Sequence, residues 1–584
     1  MTFLTSLAGA ALTTNNWTLA GSGKWETATN WSSASAPSLS DAADFITNAT
    51  TKTVTIDATT TNTPSAMMVS NLAIAGTATS TNTLFLNNAG TATPLRIIGT
   101  NTTLAINTHG ALVVNNSAIV ETNGLAGTGD MWVGETGGSA SLTISNGGVV
   151  LDNAGIVGGS TFSNTVLVTG LGSVWSNAVN LNVGFILGGA NQMIISNGGV
   201  VYTGIGDGVI GNSSSSNSVL VTGLGSRWNC DILYVGSQSG GGNQMIISNG
   251  GAVHTSGISE VGINSSSSNA VLVTGPGSVW NAGNLNVGLN TSSNRLTISN
   301  GGAVSAFQAT IGDSSVSSNN VIQVTGGSLV VVNAGNAQLV VSQVGGKASL
   351  ILSNGSVTVD QLLLTNAVNS VFAFAAGTLS SGNTYVTNNQ LFVVGDGIDA
   401  ATFQINGGVH NFANNLEIRS NAVLVGCGVI NGNVTIDPGG TVWAGCDGAL
   451  TITGSVTNNG SMQSGGGSAL EVYGAVVNNG TIDLESGGST IFHSTFTNNG
   501  IVLATLEVVG IANETNGIRV TWTTPLGATN ELQATTVEPG GNYTSNNFVA
   551  IFTVTNTVNP TTNFLDVGAV TNFPARYYRL RLVP

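Results

Sequence analysis

The chain contains very few charged residues, and basic residues are the scarcest. Only 6% of its 584 residues are charged, against roughly 25% in an average soluble protein. Its 11 lysines and arginines cannot supply the cluster of positive charge that nucleic-acid binding requires. The local concentration at Arg576, Arg579 and Arg581 favours a solvated or interface face of one terminal strand. We therefore expect no nucleic-acid partner.

Long apolar runs are also missing. No stretch of 18 or more apolar residues is present, so no membrane span is expected. The opening MTFLTSLAGAALTTNN has a short apolar stretch but lacks the basic start of a secretory signal. We interpret it as mature protein. The low charge and the abundance of Asn, Thr and Ser predict an extracellular or cell-surface location.

Glycine and short alternating apolar runs dominate what is present. The chain has 81 glycines, and 41% of its residues are hydrophobic. Alternation of apolar and polar residues is typical of β-strands, and Gly and Asn set the turns between them. Because the apolar content is high, the chain is expected to be folded rather than disordered.

The sequence repeats about every 25 residues. An aliphatic residue followed by Gly recurs at steps of 24 to 27 residues, at Gly134, Gly158, Gly184, Gly211, Gly236, Gly262, Gly288 and Gly312. A second marker, Asn followed by alternating apolar residues, recurs at steps of 25 to 27, at Asn164, Asn191, Asn217, Asn243, Asn269, Asn294 and Asn320. Such a period is the signature of a repeat architecture.

Two versions of the unit alternate. One contains ISNGG, and the other contains VTGLGS or VTGPGS followed by Trp175, Trp228 or Trp280. The nonapeptide NQMIISNGG is therefore repeated after 52 residues, at 191–199 and 243–251. Farther along the chain the period shortens, since Gly460, Gly480 and Gly500 lie 20 residues apart.

A unit of this size cannot bury its own apolar face, but it can do so by stacking on its neighbours. The predicted fold is all-β: a parallel β-helix, or β-solenoid, over residues 51–508. We expect roughly 18–20 turns at ~4.8 Å each, hence a rod on the order of 90 Å. The recurring asparagines are predicted to form a structural ladder in which each amide bonds to the amides above and below.

Different domains are predicted at the two ends, because open solenoid ends need covering. Residues 1–50 are assigned as an N-terminal segment and cap with the aromatics Trp17, Trp25 and Trp31. A carbohydrate-stacking platform is the alternative role for these tryptophans. Residues 509–584 read as five strands of a small β-sandwich-like domain.

Cysteine is rare. Cys230 stands alone, whereas Cys427 and Cys446 lie 19 residues apart where the local turn is 20 residues long. These two can therefore lie on adjacent turns within disulfide range. A one-residue offset would instead point them to different faces, so both outcomes stay open.

The repeat motifs resemble those of a known group of proteins. ISNGG-x-V, the aliphatic-Gly step and VTG-x-GS-x-W resemble the repeats of autotransporter passenger regions and of PEP-CTERM-associated bacterial surface proteins. GSGKW followed by NW after four residues is similar to the start of such passengers. The resemblance covers residues 15–510 and implies a secreted, often adhesive β-helix. The ending ARYYRLRLVP resembles terminal domains of Verrucomicrobia-like surface proteins, and neither a translocating barrel nor a PEP motif is recognisable.

Catalytic motifs are missing from the sequence. The closest carboxylate pair is Asp396 and Asp399, while Asp207, Glu260 and Asp313 are isolated. Histidines lack metal-ligand spacing, and GxSxG, HExxH, phosphate-loop and calcium-repeat motifs are absent. We therefore predict no catalytic residues, no cofactor, no metal site and no enzymatic activity, although many parallel β-helices act on polysaccharides.

The predicted function is structural. We expect an extracellular protein that self-assembles head to tail into a surface fibre, sheath or filament. Apolar N-terminal residues would dock on the C-terminal strand of the next subunit; the assembly candidates are Phe3, Leu4, Leu7, Tyr577, Tyr578 and Leu580. The alternatives are a carbohydrate-binding or polysaccharide-degrading β-helix, with a surface or matrix polysaccharide as partner, and a monomeric adhesin stalk.

Overall fold

The computed structural model describes residues 13–98, 103–121, 129–484, 487–503, 506–524, 529–536, 547–555, 561–573 and 575–583. It contains two compact units, Met1–Ala373 and Phe374–Pro584. The parallel β-solenoid makes about 17 turns, close to the 18–20 expected. The predicted fold class, an all-β solenoid, is confirmed.

The first unit opens with ten strands. Strands β1 to β10 span Thr13–Asn16, Gly23–Lys24, Asp41–Ile46, Lys52–Ile56, Met68–Val69, Leu72–Ile74, Asn82–Ile97, Thr103–Ile106, Gly110–Glu121 and Asp130–Val133. Short 3-10 helices at Ala28–Asn30, Thr60–Asn62 and Pro64–Met67 interrupt them. Strand β1 pairs in parallel with β3, and β3 with β6, so parallel stacking begins inside the segment predicted as a cap.

Seven regular turns of three strands each follow. Strands β11 to β31 span, turn by turn, Ser141–Ser145, Val149–Asp152, Ala154–Val157; Thr165–Thr169, Val174–Asn177, Leu181–Phe185; Gln192–Ser196, Val200–Thr203, Asp207–Asn212; Ser218–Thr222, Arg227–Cys230, Ile232–Ser237; Gln244–Ser248, Ala252–Thr255, Ile258–Ile263; Ala270–Thr274, Val279–Asn281, Asn284–Leu289; Arg295–Ser299, Ala303–Ala306, Gln308–Ile311. The first, second and third strands of each turn build what we call the first, second and third sheets.

Longer strands complete the first unit. Strands β32 to β35 span Asn320–Val331, Gln338–Val341, Ala348–Leu364 and Ser370–Phe374, with a 3-10 helix at Ala367–Asn369. Strand β32 pairs with both β29 and β30, because the corner between the first two sheets is here a bend within one strand.

Each strand of the regular turns pairs with the equivalent strand one turn later. In the first sheet, Ile195 pairs with Val221, and Val221 pairs with Ile247. All three side chains are fully buried, while alternate residues face outward, as expected for strands. The predicted register, with Ile195 and Ile247 at equivalent inward positions two turns apart, is confirmed.

The 52-residue repeat arises because turns with large inward residues alternate with turns that have smaller ones. The inward row of the second sheet reads Val150, Trp175, Val201, Trp228, Val253, Trp280 and Val304. The adjoining row of the third sheet reads Gly155, Leu181, Gly208, Leu233, Ser259 and Leu285.

A Cβ added at Gly155 would overlap the Trp175 ring, and a Cβ at Gly208 would overlap that of Trp228. Each tryptophan therefore occupies volume that the preceding turn leaves free. Because interiors are close-packed, a turn that carries Trp needs a neighbour that carries a small residue, and the unit repeats only every second turn.

The second unit begins with sixteen parallel strands, which also stack as a solenoid. Strands β36 to β51 span Gly377–Val386, Phe392–Val394, Ala401–Phe412, Leu416–Ile418, Ala422–Asn431, Val434–Ile436, Thr441–Ala444, Ala449–Ile452, Val456–Asn458, Ser461–Ser464, Ala469–Val472, Val476–Asn478, Thr481–Asp483, Ser489–Phe492, Phe496–Asn498 and Ile501–Leu503. Six of them form a separate sheet, β37-β39-β41-β44-β47-β50.

Antiparallel strands end the chain. Strands β52 to β57 span Val508–Glu514, Gly517–Thr523, Thr529–Thr536, Val549–Thr555, Thr561–Val567 and Arg576–Val583, with helix α1 at Ala569–Asn572. They form two three-stranded sheets, β52-β53-β56 and β55-β54-β57, over a core of Val520, Trp522 and Leu532. The sequence predicted five strands here; the sixth, β52, lies where the repeat pattern was expected to end.

Truncating an inward residue should weaken the stack. Ile195→Ala is expected to lower the free energy of unfolding by on the order of 2–4 kcal/mol, since a buried methyl cluster is lost and a cavity is left. Ile194→Ala, at the adjacent outward position, is the matched control and should cost no more than about 1 kcal/mol. Denaturant unfolding, with hydrogen exchange of the neighbouring strands, measures the difference; equal losses would contradict the register.

Candidate functional site

The seven recurring asparagines form one continuous hydrogen-bonded chain. The side-chain amide of each of the first six donates to Oδ1 of the asparagine in the next turn, over 2.8 to 3.2 Å. The backbone N–H of each of these six donates to that same oxygen, over 2.9 to 3.1 Å. All seven, which we call the asparagine ladder, are buried: Asn164, Asn191, Asn217, Asn243, Asn269, Asn294 and Asn320.

The recurring glycines provide the space for this ladder. Each of the seven from Gly134 to Gly288 has a positive φ, between 75° and 89°, a conformation that Gly adopts without strain. A Cβ on any of them would overlap a ladder amide, as with Gly211 and Asn243. The ladder stops where Ala348 pairs with Asn320. The recurring glycine and the recurring asparagine of the sequence are thus the two partners in one packing arrangement.

A second ladder lies in the shorter turns. Asn458 donates to Asn478, and Asn478 to Asn498, over 2.7 Å each. A parallel exposed row links Asn499 to Asn479 and Asn479 to Asn459, over 3.0 and 2.9 Å. The NNG motif predicted only the shortened period, although its paired asparagines recur every 20 residues and are the same signal for a ladder.

Cys427 and Cys446 are joined by a disulfide, with Cα atoms 5.9 Å apart. Cys427 lies in β40, which pairs with β42, and Cys446 follows β42, so the bond links consecutive turns. Cys230 is a free, buried thiol. Burial raises its pKa to about 12, which keeps it protonated and unreactive at neutral pH.

The three N-terminal tryptophans pack on one another. Trp31 meets Trp17 and Trp25 edge to face, with ring centroids 5.2 and 5.1 Å apart. The indole N–H of Trp25 donates to the carbonyl oxygen of Ala66 over 2.7 Å, and that of Trp31 to the carbonyl oxygen of Trp25 over 2.8 Å. All three rings are buried, so they cannot serve as a carbohydrate-stacking platform.

The predicted assembly residues are only partly described. Phe3, Leu4 and Leu7 lie outside the described residues. Tyr578 and Leu580 pack against the core of the antiparallel domain, and the Tyr578 hydroxyl donates to Asp566 over 3.0 Å. These two side chains therefore stabilise their own domain and do not offer a free docking surface.

The terminal arginines likewise have partners within the domain. Arg576 forms an ion pair with Asp566 at 2.8 Å, and its guanidinium lies 4.4 Å from the Phe573 ring centroid. Arg579 donates to Gln533 over 2.8 Å and lies 4.4 Å from the Phe548 ring. This arrangement agrees with a structural role for the arginine-rich end.

A groove runs over the outer face of the second sheet. Its floor is a row of outward-facing residues that pair in register across five turns: Tyr202, Asn229, His254, Asn281 and Ser305. We call this row the groove floor. Two adjoining cavities, of about 450 and 510 Å³, share Thr255, Ser256 and Asn281, so the groove is continuous along the stack.

The corner beside the floor forms the groove wall. Asp231 lines one cavity, and its Oδ1 accepts a hydrogen bond from Ser256 over 2.6 Å. Phe307 and Val332 line the other cavity and are both exposed. Gly204 and Gly283 also line the wall; a Cβ at either position would collide with a backbone carbonyl oxygen, that of Ala178 or of Gly257.

His254 is held in one neutral form. Burial is the main cause that lowers its pKa, and the charge of Arg227 adds to the shift. Asn281 lies 2.7 Å from Nδ1, and its Oδ1 accepts from Ser305 over 2.8 Å, so its amide nitrogen is the atom that faces the ring. An amide nitrogen can only donate, hence Nδ1 accepts and the ring proton resides on Nε2.

Two buried carboxyl groups lie one turn apart inside the stack. Leu151 pairs with Val120, and the next residues along each strand are Asp152 and Glu121, both buried. The indole N–H of Trp175 donates to Asp152 over 2.8 Å, and the backbone N–H of Leu104 to Glu121 over 3.0 Å. Burial raises the pKa of Asp152 to about 8, and burial followed by the Asp152 charge raises that of Glu121.

The carboxylates considered for catalysis occupy other surroundings. Asp396 accepts backbone N–H bonds from Ile398 and Asp399 over 2.8 and 3.0 Å, an arrangement that closes a turn and lowers its pKa. Glu260 faces outward from the third sheet, where burial raises its pKa. Within the described ranges, no three His, Cys, Asp or Glu side chains converge as metal ligands.

No helix in the described part of the chain combines the length and apolarity needed to cross a membrane.

Removing one asparagine side chain from the ladder should destabilise the folded protein. Asn243→Ala removes the acceptor for the backbone and side-chain N–H groups of Asn217, which bond to Asn243 over 3.0 and 2.9 Å. Leaving two buried donors unpaired should lower the free energy of unfolding by roughly 2–5 kcal/mol. Asn286→Ala, at a position with a single 3.5 Å contact to Glu260, is the control. Denaturant unfolding compares them, and equal stabilities would refute a structural ladder.

Removing the buried Asp152 carboxyl should change how stability depends on pH. Because its pKa is raised to about 8, the native protein holds a proton that the unfolded chain releases, so stability falls as pH rises from about 4 to about 8. Asp152→Asn should make this fall smaller, while the raised pKa of Glu121 leaves part of it, and Asn fits because Asn177 occupies the paired position. Unfolding free energies at about pH 5, 7 and 9 test this; a difference that is constant with pH would contradict it.

Comparisons with known proteins identify no family. No protein-family model matches the chain, and no curated protein matches it. Among solved structures, a crystal structure of the TibC-catalysed hyper-glycosylated TibA fragment 55–350 is similar at 12% identity. The match covers 79% of this chain and 99% of that one, with a TM-score of 0.21. At that score we base no structural or functional conclusion on the likeness.

Proposed function

We propose that the protein is an extracellular structural protein, a β-solenoid stalk that joins head to tail into a surface fibre, sheath or filament. The observation that carries the proposal is the set of open strand edges at the C-terminal end. Strands β49, β50 and β51 pair on one side only among the described residues, with β46, β47 and β48. Ile501 and Leu503 in this last turn are exposed.

The antiparallel domain offers further edges. Strand β57 pairs with β54 alone within the described ranges, so its other edge can accept an added strand. Since Tyr578 and Leu580 face the domain core, we assign the contact to the backbone edge. The first twelve residues, with Phe3, Leu4 and Leu7, are the proposed donor. The donor segment and the acceptor edge are different surfaces. Their pairing therefore adds one subunit after another to a filament and does not close into a ring.

Two features support an extracellular location. The Cys427–Cys446 disulfide is a bond that persists in oxidising compartments. The second feature is the low charge, since only 6% of the residues are charged. We propose no enzymatic activity: the Asp396 carboxylate closes a turn, and Asp152 and Glu121 are buried inside the stack.

Deleting residues 1–12 tests the assembly, since the deletion leaves β1 intact. The full chain should form filaments in negative-stain electron microscopy and scatter light accordingly, whereas the truncated chain should remain as single particles. With 6% charged residues, the filaments should also resist added salt, because there is little charge to screen.

Leu171→Ser is the matched control for lateral association. Leu171 is 87% exposed on a corner of the regular turns, away from either end of the stack. This variant should still form filaments. Filaments from the truncated chain, or none from the full chain, would refute the proposal.

A further inference from the structure

We propose that the groove over the second sheet binds a neutral, unbranched polysaccharide that lies along the stacking direction. This ligand site goes beyond the structural role and does not depend on assembly. Its elements are the groove floor, from Tyr202 to Ser305, and the wall residues Asp231 and Phe307. The inference rests on the spacing, the chemistry and the charge of these side chains.

Exposed aromatic rings mark the two ends of the groove. Tyr202 is 45% exposed and Phe307 is 55% exposed, although large aromatic side chains are usually buried. An aromatic face provides a flat apolar surface with little conformational freedom to lose, which suits the C–H face of a sugar ring. The two rings would therefore hold the two ends of a bound chain.

Hydrogen-bonding groups lie between the rings. Among the described residues, the Asn229 amide, the Tyr202 hydroxyl and Nε2 of His254 have no protein partner. The tautomer fixed by Asn281 makes Nε2 of His254 a donor, while the Asp231 carboxylate accepts. A row of mixed donors and acceptors matches the hydroxyl groups of a sugar, which both donate and accept.

The spacing favours a periodic ligand. Consecutive floor residues lie one turn apart, at ~4.8 Å, which is about the length of one hexose unit in an extended chain. Tyr202 and the turn of Phe307 are separated by four turns, or roughly 19 Å. A linear polysaccharide can thus present one sugar to each turn, so that each floor residue faces a separate sugar.

The charge and the backbone exclude other polymers. No Lys or Arg lines the two cavities in the described part of the chain. Arg227 is near enough to lower the pKa of His254 but does not line either cavity, whereas Asp231 does and would repel an anionic polysaccharide. The floor strands are already paired on both sides, so a peptide cannot add to them as an extra strand. Recognition must go through side chains, and these suit neutral hydroxyl groups.

Native affinity electrophoresis of the full chain tests the proposal. The gels contain hydroxyethyl cellulose, glucomannan or dextran as neutral probes, and polygalacturonate or alginate as anionic ones. At least one neutral polymer should retard the protein, and neither anionic polymer should. Tyr202→Ala and Phe307→Ala should each weaken retardation by about tenfold, as loss of one aromatic stacking contact would.

Tyr473→Ala is the matched control, because Tyr473 is 50% exposed and lies outside the groove. It should bind like the unchanged protein. Circular dichroism and thermal unfolding establish that all three variants are folded. Binding to no neutral polymer, stronger binding to the anionic ones, or an equal loss in Tyr473→Ala would overturn the inference.

Discussion

The hydrogen bond from one buried asparagine to the next sets the register of the regular turns, and the core and the groove of those turns follow from it. A primary amide donates and accepts at once, so a row of identical amides can satisfy itself without charge. Each amide oxygen that accepts from the previous asparagine side chain also accepts from that residue's backbone N–H, as Oδ1 of Asn243 does from Asn217. A slip of one residue would turn every inward side chain outward, and it would also separate the amides. The glycines with positive φ leave the space in which these amides lie.

Once the register is fixed, both faces of each strand become continuous rows. Inside, the rows are apolar and close-packed, and turns with the large residues Trp and Leu alternate with turns that carry Val and a small residue. Outside, the same register places Tyr202, Asn229, His254, Asn281 and Ser305 in one line. The groove therefore follows from the same register that packs the core. Its chemistry depends on the outward residues, which the packing of the core does not constrain.

Much of the solenoid could be predicted because its determinants are local and repeated. The 25-residue period, the inward positions of Ile195 and Ile247, and the recurring asparagines all follow from motifs within one unit. The sandwich strands were visible as alternating runs, except β52, which has no turn signal before it. The groove could not be foreseen, because its floor residues share no motif and become neighbours only through stacking across turns.

The pair of buried acids could not be predicted from the sequence either. Asp152 and Glu121 are ordinary strand-end residues in sequence, and only the pairing of Leu151 with Val120 brings them together.

A repeat held by neutral ladders leaves the outer surface free to vary. Ion pairs would hold neighbouring turns through their outward side chains, and those positions would then be constrained. Here the buried amides and the apolar rows stabilise the stack, so an outward row can carry Tyr, Asn, His, Asn and Ser in succession without loss of register. In the nonapeptides at 191–199 and 243–251 the outward residues repeat together with the inward ones, whereas in the second sheet the inward row alternates Val and Trp and the outward floor residues differ from turn to turn. Stability resides in the repeated inward positions, and any recognition by the solenoid resides in the outward positions that do not repeat.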